Sequence, residues 1–243
     1  MENIKNKVII ITGASSGIGA AAAKKLASLG AKAVLSARRE EKLKELTQDL
    51  GDNAMYVVAD VSKRADLDNL IAKTIEKFGQ VDVLWNNAGI MPISFLEEGR
   101  VEEWDATIDI NIKGVLYGIN AVLPHMLKRK YGHIITTAST GALQTVPGAS
   151  VYCGTKYAVK AIMDSLRKEV VKDIRVTTIY PGRTDSELFE TIQSEKIKEA
   201  FKDNFDNTPA LEGEAIADAV IYAIGQPATV NVNDIVVRPL GEG

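Results

Sequence analysis

The sequence predicts an α/β fold, a doubly wound parallel sheet of seven strands with helices on both faces. Three observations predict it. Short β-branched runs alternate with longer segments of helical period, the pattern of crossover units around a parallel sheet. A glycine-rich turn joins the first such run to a helix. No Pro/Gly/Ser-rich linker, low-complexity tract or internal repeat breaks the alternation, so residues 1–243 read as a single domain.

The elements follow in order. The aliphatic run Val8-Ile9-Ile10-Ile11 makes a strand at 8–12, and an alanine-rich helix spans 18–29. A strand at 33–36 leads into a helix at 40–50, and a strand at 54–58 into a helix at 63–78. The fourth strand, 83–86, precedes one long helix at 101–130. Its apolar stripe of Trp104, Ile108, Val115, Ile119, Val122 and Met126 is expected to face the sheet. Strand 133–137, helix 151–171, strand 176–180, a helix near 213–223 and a strand at 235–237 complete the set. The arrangement is Rossmann-like, and ligands of such sheets sit beyond the carboxyl ends of the strands.

Composition narrows the functional classes. With 46% hydrophobic and 25% charged residues, the chain can bury a sizeable core without disulfides or metals. Its net charge of -3 gives no overall attraction to nucleic acid or anionic membranes, so neither is an expected partner. The single cysteine, Cys153, leaves no internal disulfide and no CxxC metal set, and no metal is expected. Residues 1–7 precede only four aliphatics, too few for a signal-peptide core or a membrane span, so a cytoplasmic protein is expected.

The first strand runs into Thr12-Gly13-Ala14-Ser15-Ser16-Gly17-Ile18-Gly19. The spacing G-x3-G-x-G differs from the G-x-G-x-x-G of the usual dinucleotide fingerprint, yet the physics is shared. Glycines allow a ligand close to the backbone, and the free N–H groups of the helix start attract a pyrophosphate. A glycine-rich turn that holds no ligand is the alternative. The second strand ends in Ala37-Arg38-Arg39, with no acid before Glu40. An acid there would receive the ribose 2′-OH of NAD, whereas an arginine accommodates the 2′-phosphate of NADP. Arginines at a helix start oppose the dipole, so a phosphate partner explains them better than a solvated surface does.

Asn111 fills the gap in the long helix's apolar stripe, and a buried amide is either a satisfied structural group or part of a polar site. Tyr152 and Lys156, four residues apart, share one helix face. An ammonium beside a phenol stabilises the phenolate and lowers a pKa that is otherwise near 10, letting the tyrosine exchange a proton with an alcohol or carbonyl oxygen. Taken alone, the pair also fits a surface contact.

The combination is more specific. TGASSGIG at 12–19, Asn86-Asn87-Ala88-Gly89, Asn111 before Ile112-Lys113-Gly114, Ser139, Tyr152-Cys153-Gly154-Thr155-Lys156 and Pro181-Gly182 occur in one order, with 13 residues from Ser139 to Tyr152. The set resembles the short-chain dehydrogenase/reductase family, in its compact single-domain, NADP-preferring branch, over essentially the whole chain. The resemblance implies hydride transfer between NADP(H) and a small carbonyl or alcohol substrate. Tyr152 would be the general acid/base, and Ser139 would hold the substrate oxygen. Lys156 would bind the nicotinamide ribose and lower the tyrosine pKa, and Asn111 would anchor a water of a proton relay. Gly13, Ser15, Ser16, Gly17, Ile18 and Gly19 would line the phosphates and ribose, and Arg38, helped by Arg39, would meet the 2′-phosphate. Asp60 and Val61 would contact the adenine, with Asn87, Ala88 and Gly89 lining the pocket beyond and Pro181, Gly182 and Thr184 on the nicotinamide side. A homodimer or homotetramer is also implied.

Three positions depart from the family pattern. Trp85 stands where a small aliphatic usually precedes Asn86, and Thr184 and Ser186 replace the usual aliphatic and Thr after Pro181-Gly182. Residues 184–212 make the substrate-side segment. Acids outnumber lysines there, which disfavours a polyanionic substrate. Leu188, Phe189, Ile192, Ile197, Phe201 and Phe205 fit either a lid or helices packed on the domain. Arg183 would suit a small carboxylate. Two other functions compete: an NAD-dependent alcohol, sugar or steroid dehydrogenase of the same family, and a non-catalytic NADP-binding sensor. The second has no need of Asn111, Ser139, Tyr152 and Lys156 together.

Overall fold

Seven strands, β1 (Val8–Thr12), β2 (Lys32–Ala37), β3 (Ala54–Val58), β4 (Val83–Asn86), β5 (His133–Thr137), β6 (Arg175–Pro181) and β7 (Asp234–Val237), form one parallel sheet in the computed structural model. Their order is β3-β2-β1-β4-β5-β6-β7. The structure describes residues 3–200 and 209–242, so Phe201 and Phe205 of the expected substrate-side stripe lie outside the described residues. Each strand falls within a residue of its expected bounds. Aliphatic runs with no turn residues leave a parallel, doubly covered sheet little room to shift.

The helices are α1 (Gly17–Ser28), α2 (Glu40–Leu50), α3 (Arg64–Phe78), α4 (Val101–Ile108), α5 (Gly114–Arg129), α6 (Ser150–Glu169), a short α7 (Glu195–Ala200) and α8 (Gly213–Gly225). Alternate residues of each strand face opposite sides, so the sheet separates two cores. On one side Ile10, Val34, Leu84, Ile134 and Val176 pack with α3, α5 and α6 through Leu70, Val122 and Met163. On the other, Ile9, Ile11, Leu35, Trp85 and Ile135 pack with α1, α2 and α8 through Leu26, Leu43 and Val220. Strand order reverses between β1 and β4, whose carboxyl ends are Thr12 and Asn86. That switch point is where an open α/β sheet leaves its ligand crevice.

The expected single helix over 101–130 is a correction. A π turn, Asp109–Lys113, separates α4 from α5. Its wider ring adds a residue and rotates the stripe, so Val115, Ile119, Val122 and Met126 are buried while Ile108 is 39% exposed and Trp104 only half-buried. Asn111, inside the π turn, becomes the buried side chain instead, at 1% exposure.

A polar pair also lies within the sheet. His133 is 1% exposed, with Nε2 2.7 Å from Thr177 Oγ1 and no partner for Nδ1 among the described residues. Burial, with a smaller effect from Arg175, pushes its pKa well below the ordinary 6.5. The unfolded chain therefore binds the extra proton first. Stability from this group is complete above about pH 6.5 and is lost as pH falls from there toward the folded pKa, at about 1.4 kcal/mol per pH unit. Urea denaturation is expected to show this fall in the wild type and a shallower one in His133→Gln. Equal slopes in the two proteins would contradict the assignment.

Candidate active site

At the switch point the loop after β1 turns back under the loop after β4. Gly13 has φ +67, and a Cβ there would stand 2.8 Å from Ala88 Cα, so only glycine admits this crossing. At Gly19 a Cβ would meet Gly13 O at 2.5 Å, which packs the start of α1 directly under the loop. Thr12 Oγ1 accepts the N–H groups of Asn87 and Ala88 at 3.0 and 3.1 Å, and Asn87 Nδ2 donates to Thr12 O at 3.1 Å. These bonds lock the two loops into one floor.

The departure at Trp85 has a physical role in that floor. Its ring is fully buried in the core beside Ile11 and Ile135, and its indole N–H donates to Thr137 Oγ1 at 2.9 Å. The Thr137 hydroxyl donates onward to Asn87 Oδ1 at 3.1 Å, fixing the orientation of that amide.

Above the floor runs a cleft of about 800 Å³. Its nucleotide half is lined by Ser15, Ser16, Gly17, Ile18, Arg38, Arg39, Asp60, Val61, Asn87, Ala88 and Gly89. Arg38 is exposed and makes no hydrogen bond or ion pair among the described residues. Arg39 donates to both Ser15 and Ser16 hydroxyls. The Asp60 carboxyl would be raised by burial, but the Ser62 hydroxyl and N–H, with Arg38 nearby, bring it below its usual value. A crevice with a glycine floor and a helix N-terminus fits the pyrophosphate of a dinucleotide in donor chemistry.

The catalytic half lies against β5 and α6. Tyr152 and Lys156 are both buried, at 7% and 6% exposure, and line the cleft with Ser139. Lys156 Nζ donates to Thr137 O at 3.0 Å and stands 5.7 Å from the centre of the Tyr152 ring. Ser139 Oγ accepts the Gly141 N–H at 3.0 Å, which leaves its proton to point elsewhere. Burial pushes the Tyr152 phenol up to about 12, only partly opposed by the Ser139 hydroxyl facing it. Burial alone also brings Lys156 down to about 8, so it keeps its charge at neutral pH.

Asn111 holds a loop as well as a site. Oδ1 accepts Ile90 N–H at 3.0 Å, while Nδ2 donates to Ile90 O at 2.9 Å and Thr155 Oγ1 at 3.2 Å. Both amide protons are thereby used, and a relay water could approach only the remaining lone pair of Oδ1. Gly89 marks where the groups converge, since a Cβ on it would lie 3.2 Å from Asn111 Oδ1 and 3.7 Å from Lys156 Nζ.

A model of the short chain dehydrogenase family matches residues 7–197. The chain belongs to that family. An uncharacterised oxidoreductase of Staphylococcus saprophyticus is 46% identical over 243 residues, covering 98% of each chain. Among solved structures, the closed form of a serine dehydrogenase complexed with NADP+ superposes with a TM-score of 0.91 at 33% identity, over 97% of this chain and 96% of that one. A 3-ketoacyl-(acyl-carrier-protein) reductase from Brucella melitensis complexed with NADH gives 0.87 at 30% identity, over 97% and 98%.

This short-chain dehydrogenase brings most of the expected residues to one cleft, including Pro181, Gly182 and Thr184. Gly19 and Asn111 stand behind its wall and act through the backbone they pack or bond. Thr184 donates its hydroxyl to Gly182 O at 3.0 Å, so it can offer a ligand only an acceptor, whereas Ser186 lies beside Gly17. Of the substrate-side stripe, Ile192 and Ile197 are buried with Ile93, Ala149, Tyr152 and Cys153, and Phe189 packs against that cluster. Three contributors went unread in the sequence. Thr137 offers the carbonyl that holds Lys156. Glu187 reaches Arg39, and Glu242 accepts the Arg183 N–H at 2.9 Å at the far end of the cleft. None sits in a motif, and only Thr137, two residues before Ser139, had a neighbour to signal it. Among the described residues there is no His/Cys/Asp/Glu group that could hold a metal, and no helix is long and apolar enough to cross a membrane.

Proposed function

We propose that this chain is a cytoplasmic, single-domain NADPH-dependent carbonyl reductase, acting in reverse as an NADP-dependent alcohol dehydrogenase, with Tyr152 as general acid and base. One observation carries the reading: a buried phenol faces a serine hydroxyl, with a lysine nitrogen 5.7 Å from the centre of its ring, inside the cleft at the switch point. Bound NADPH supplies the hydride. Tyr152 Oη donates the proton that the reduced oxygen needs, and Ser139 Oγ, one of its two lone pairs engaged by Gly141 N–H, donates a hydrogen bond to the same oxygen. Lys156, fixed on Thr137 O and cationic at neutral pH, offsets the negative charge the phenol acquires and offers its other protons to the ribose. Arg38, exposed at the rim of the cleft and without a hydrogen bond or ion pair among the described residues, would take the 2′-phosphate.

The substrate half of the cleft has apolar walls from Ile90, Met91, Val146, Leu188 and Phe189, with Gln144, Arg183 and Thr191 as polar contacts, which suits a small carbonyl compound or alcohol. Exposed Val101, Ile108, Leu116 and Leu127 on α4 and α5 support a homodimer or homotetramer.

The pH profile tests the reading. In the oxidation direction the base is the phenolate, whose population grows about tenfold per pH unit below the phenol pKa, so the rate is expected to climb as pH rises from about 7 to 9. Lys156→Met removes the compensating charge and a ribose donor. It is expected to move the basic limb to still higher pH and to weaken cofactor binding. Identical pH profiles and cofactor Kd values in wild type and variant would reduce Lys156 to a packing residue.

A further inference from the structure

Glu187 opens the 3-10 turn Glu187–Thr191 beyond β6, yet its carboxylate reaches the opposite wall of the nucleotide crevice. Oε2 lies 2.7 Å from Arg39 Nη1, and Oε1 lies 2.9 Å from Lys42 Nζ. The other edge of the Arg39 guanidinium is engaged as well: Nε and Nη2 donate to Ser15 Oγ at 3.1 and 2.9 Å, and Nη2 to Ser16 Oγ at 2.7 Å. Lys42, the Ser16 hydroxyl and Arg39 together hold the Glu187 carboxyl down at about 2, so it is an anion throughout the working pH range.

The two adjacent arginines are therefore unlike. Arg38 makes no hydrogen bond or ion pair among the described residues and acts on Asp60 only through space, whereas Arg39 already carries an anion and two hydroxyls. A phosphate approaching Arg39 must either displace the carboxylate or sit beside a like charge, and both oppose binding. A cofactor without the 2′-phosphate brings no such charge to the Arg39 side of the ribose.

Resting on the reading of Arg38 as the 2′-phosphate contact, we propose that Glu187 is a specificity-determining residue, which holds Arg39 and Lys42 away from the 2′-phosphate and so limits the preference for NADPH over NADH. Its role is electrostatic and confined to the adenosine end. It also links the segment after β6 to the start of α2, so a mechanical role predicts something different: loosening the link would weaken both cofactors alike.

Calorimetric Kd values for NADPH, NADH, adenosine 2′,5′-bisphosphate and adenosine 5′-monophosphate, measured on wild type and Glu187→Gln, separate these. Glutamine keeps the size and removes the charge. The 2′-phosphorylated pair is expected to bind about 1.5- to 5-fold more tightly to the variant, the range of an exposed charge interaction, with the gain shrinking as salt is raised. NADH and adenosine 5′-monophosphate are expected to be unchanged. Unchanged or weaker binding of the phosphorylated pair, or a parallel shift of all four ligands, overturns the proposal. Equal wild-type affinities for NADPH and NADH would instead sink the reading of Arg38, whatever Glu187→Gln does.

Discussion

Tyr152→Phe is expected to lower kcat by roughly 100- to 10,000-fold, the usual contribution of a positioned acid or base, while NADPH binding stays close to wild type. The substitution removes one oxygen and leaves the ring in its place among Ile93, Ala149 and Cys153, so the fold loses little. What disappears is the phenol hydroxyl that faces Ser139 in the cleft. Cofactor binding survives because the glycine floor, Arg38 and Lys156 are untouched. A variant that keeps more than about a tenth of wild-type kcat would remove Tyr152 from the proton-transfer step.

The second large effect belongs to Arg38. Hydrogen bonds to charged groups contribute about 1.5 to 3 kcal/mol, so Arg38→Leu is expected to cost roughly 10- to 150-fold in kcat/KM with NADPH and almost nothing with NADH. Ala37 beside it presents no carboxylate to repel a phosphate or to receive a 2′-OH. Adding Ala37→Asp supplies both effects and is expected to carry the enzyme further toward NADH. If Arg38→Leu slowed the two cofactors equally, Arg38 would be a surface charge at the start of α2.

Much of this was legible in the sequence because the signals are local. β1 announces itself by four consecutive aliphatics, and the Gly13 to Gly19 spacing follows from a backbone crossing that no side chain permits. The π turn was not legible. Asp109 to Lys113 fit a helical period, and the partner that Asn111 meets inside the turn, the Ile90 backbone, lies 21 residues back. The same limit applies to Glu187, which reads as one acid in an acidic segment until the fold sets it against Arg39 and Lys42. The tyrosine shows it most clearly. Spacing places Lys156 on the same face as Tyr152, but spacing carries no measure of the burial that pushes the phenol up and the lysine down.

The departures from the family pattern were visible as letters and acquire meaning only from contacts. Trp85 is large because a core position beside Ile11 and Ile135 takes its ring, and its indole N–H reaches the hydroxyl that orients Asn87. Thr184 and Ser186 differ in what their hydroxyls already bond, a distinction the sequence does not hold.

Single-turnover reduction of a panel of small aldehydes, ketones and 3-oxo acids by pre-bound NADPH, followed at the nicotinamide absorbance, tests the central claim most directly. The account predicts that at least one carbonyl compound is reduced by the wild type at neutral pH and that Tyr152→Phe, with NADPH equally bound, reduces it at least about 100-fold more slowly. Tight NADPH binding without oxidation by any member of the panel, or equal rates in the two proteins, would contradict it.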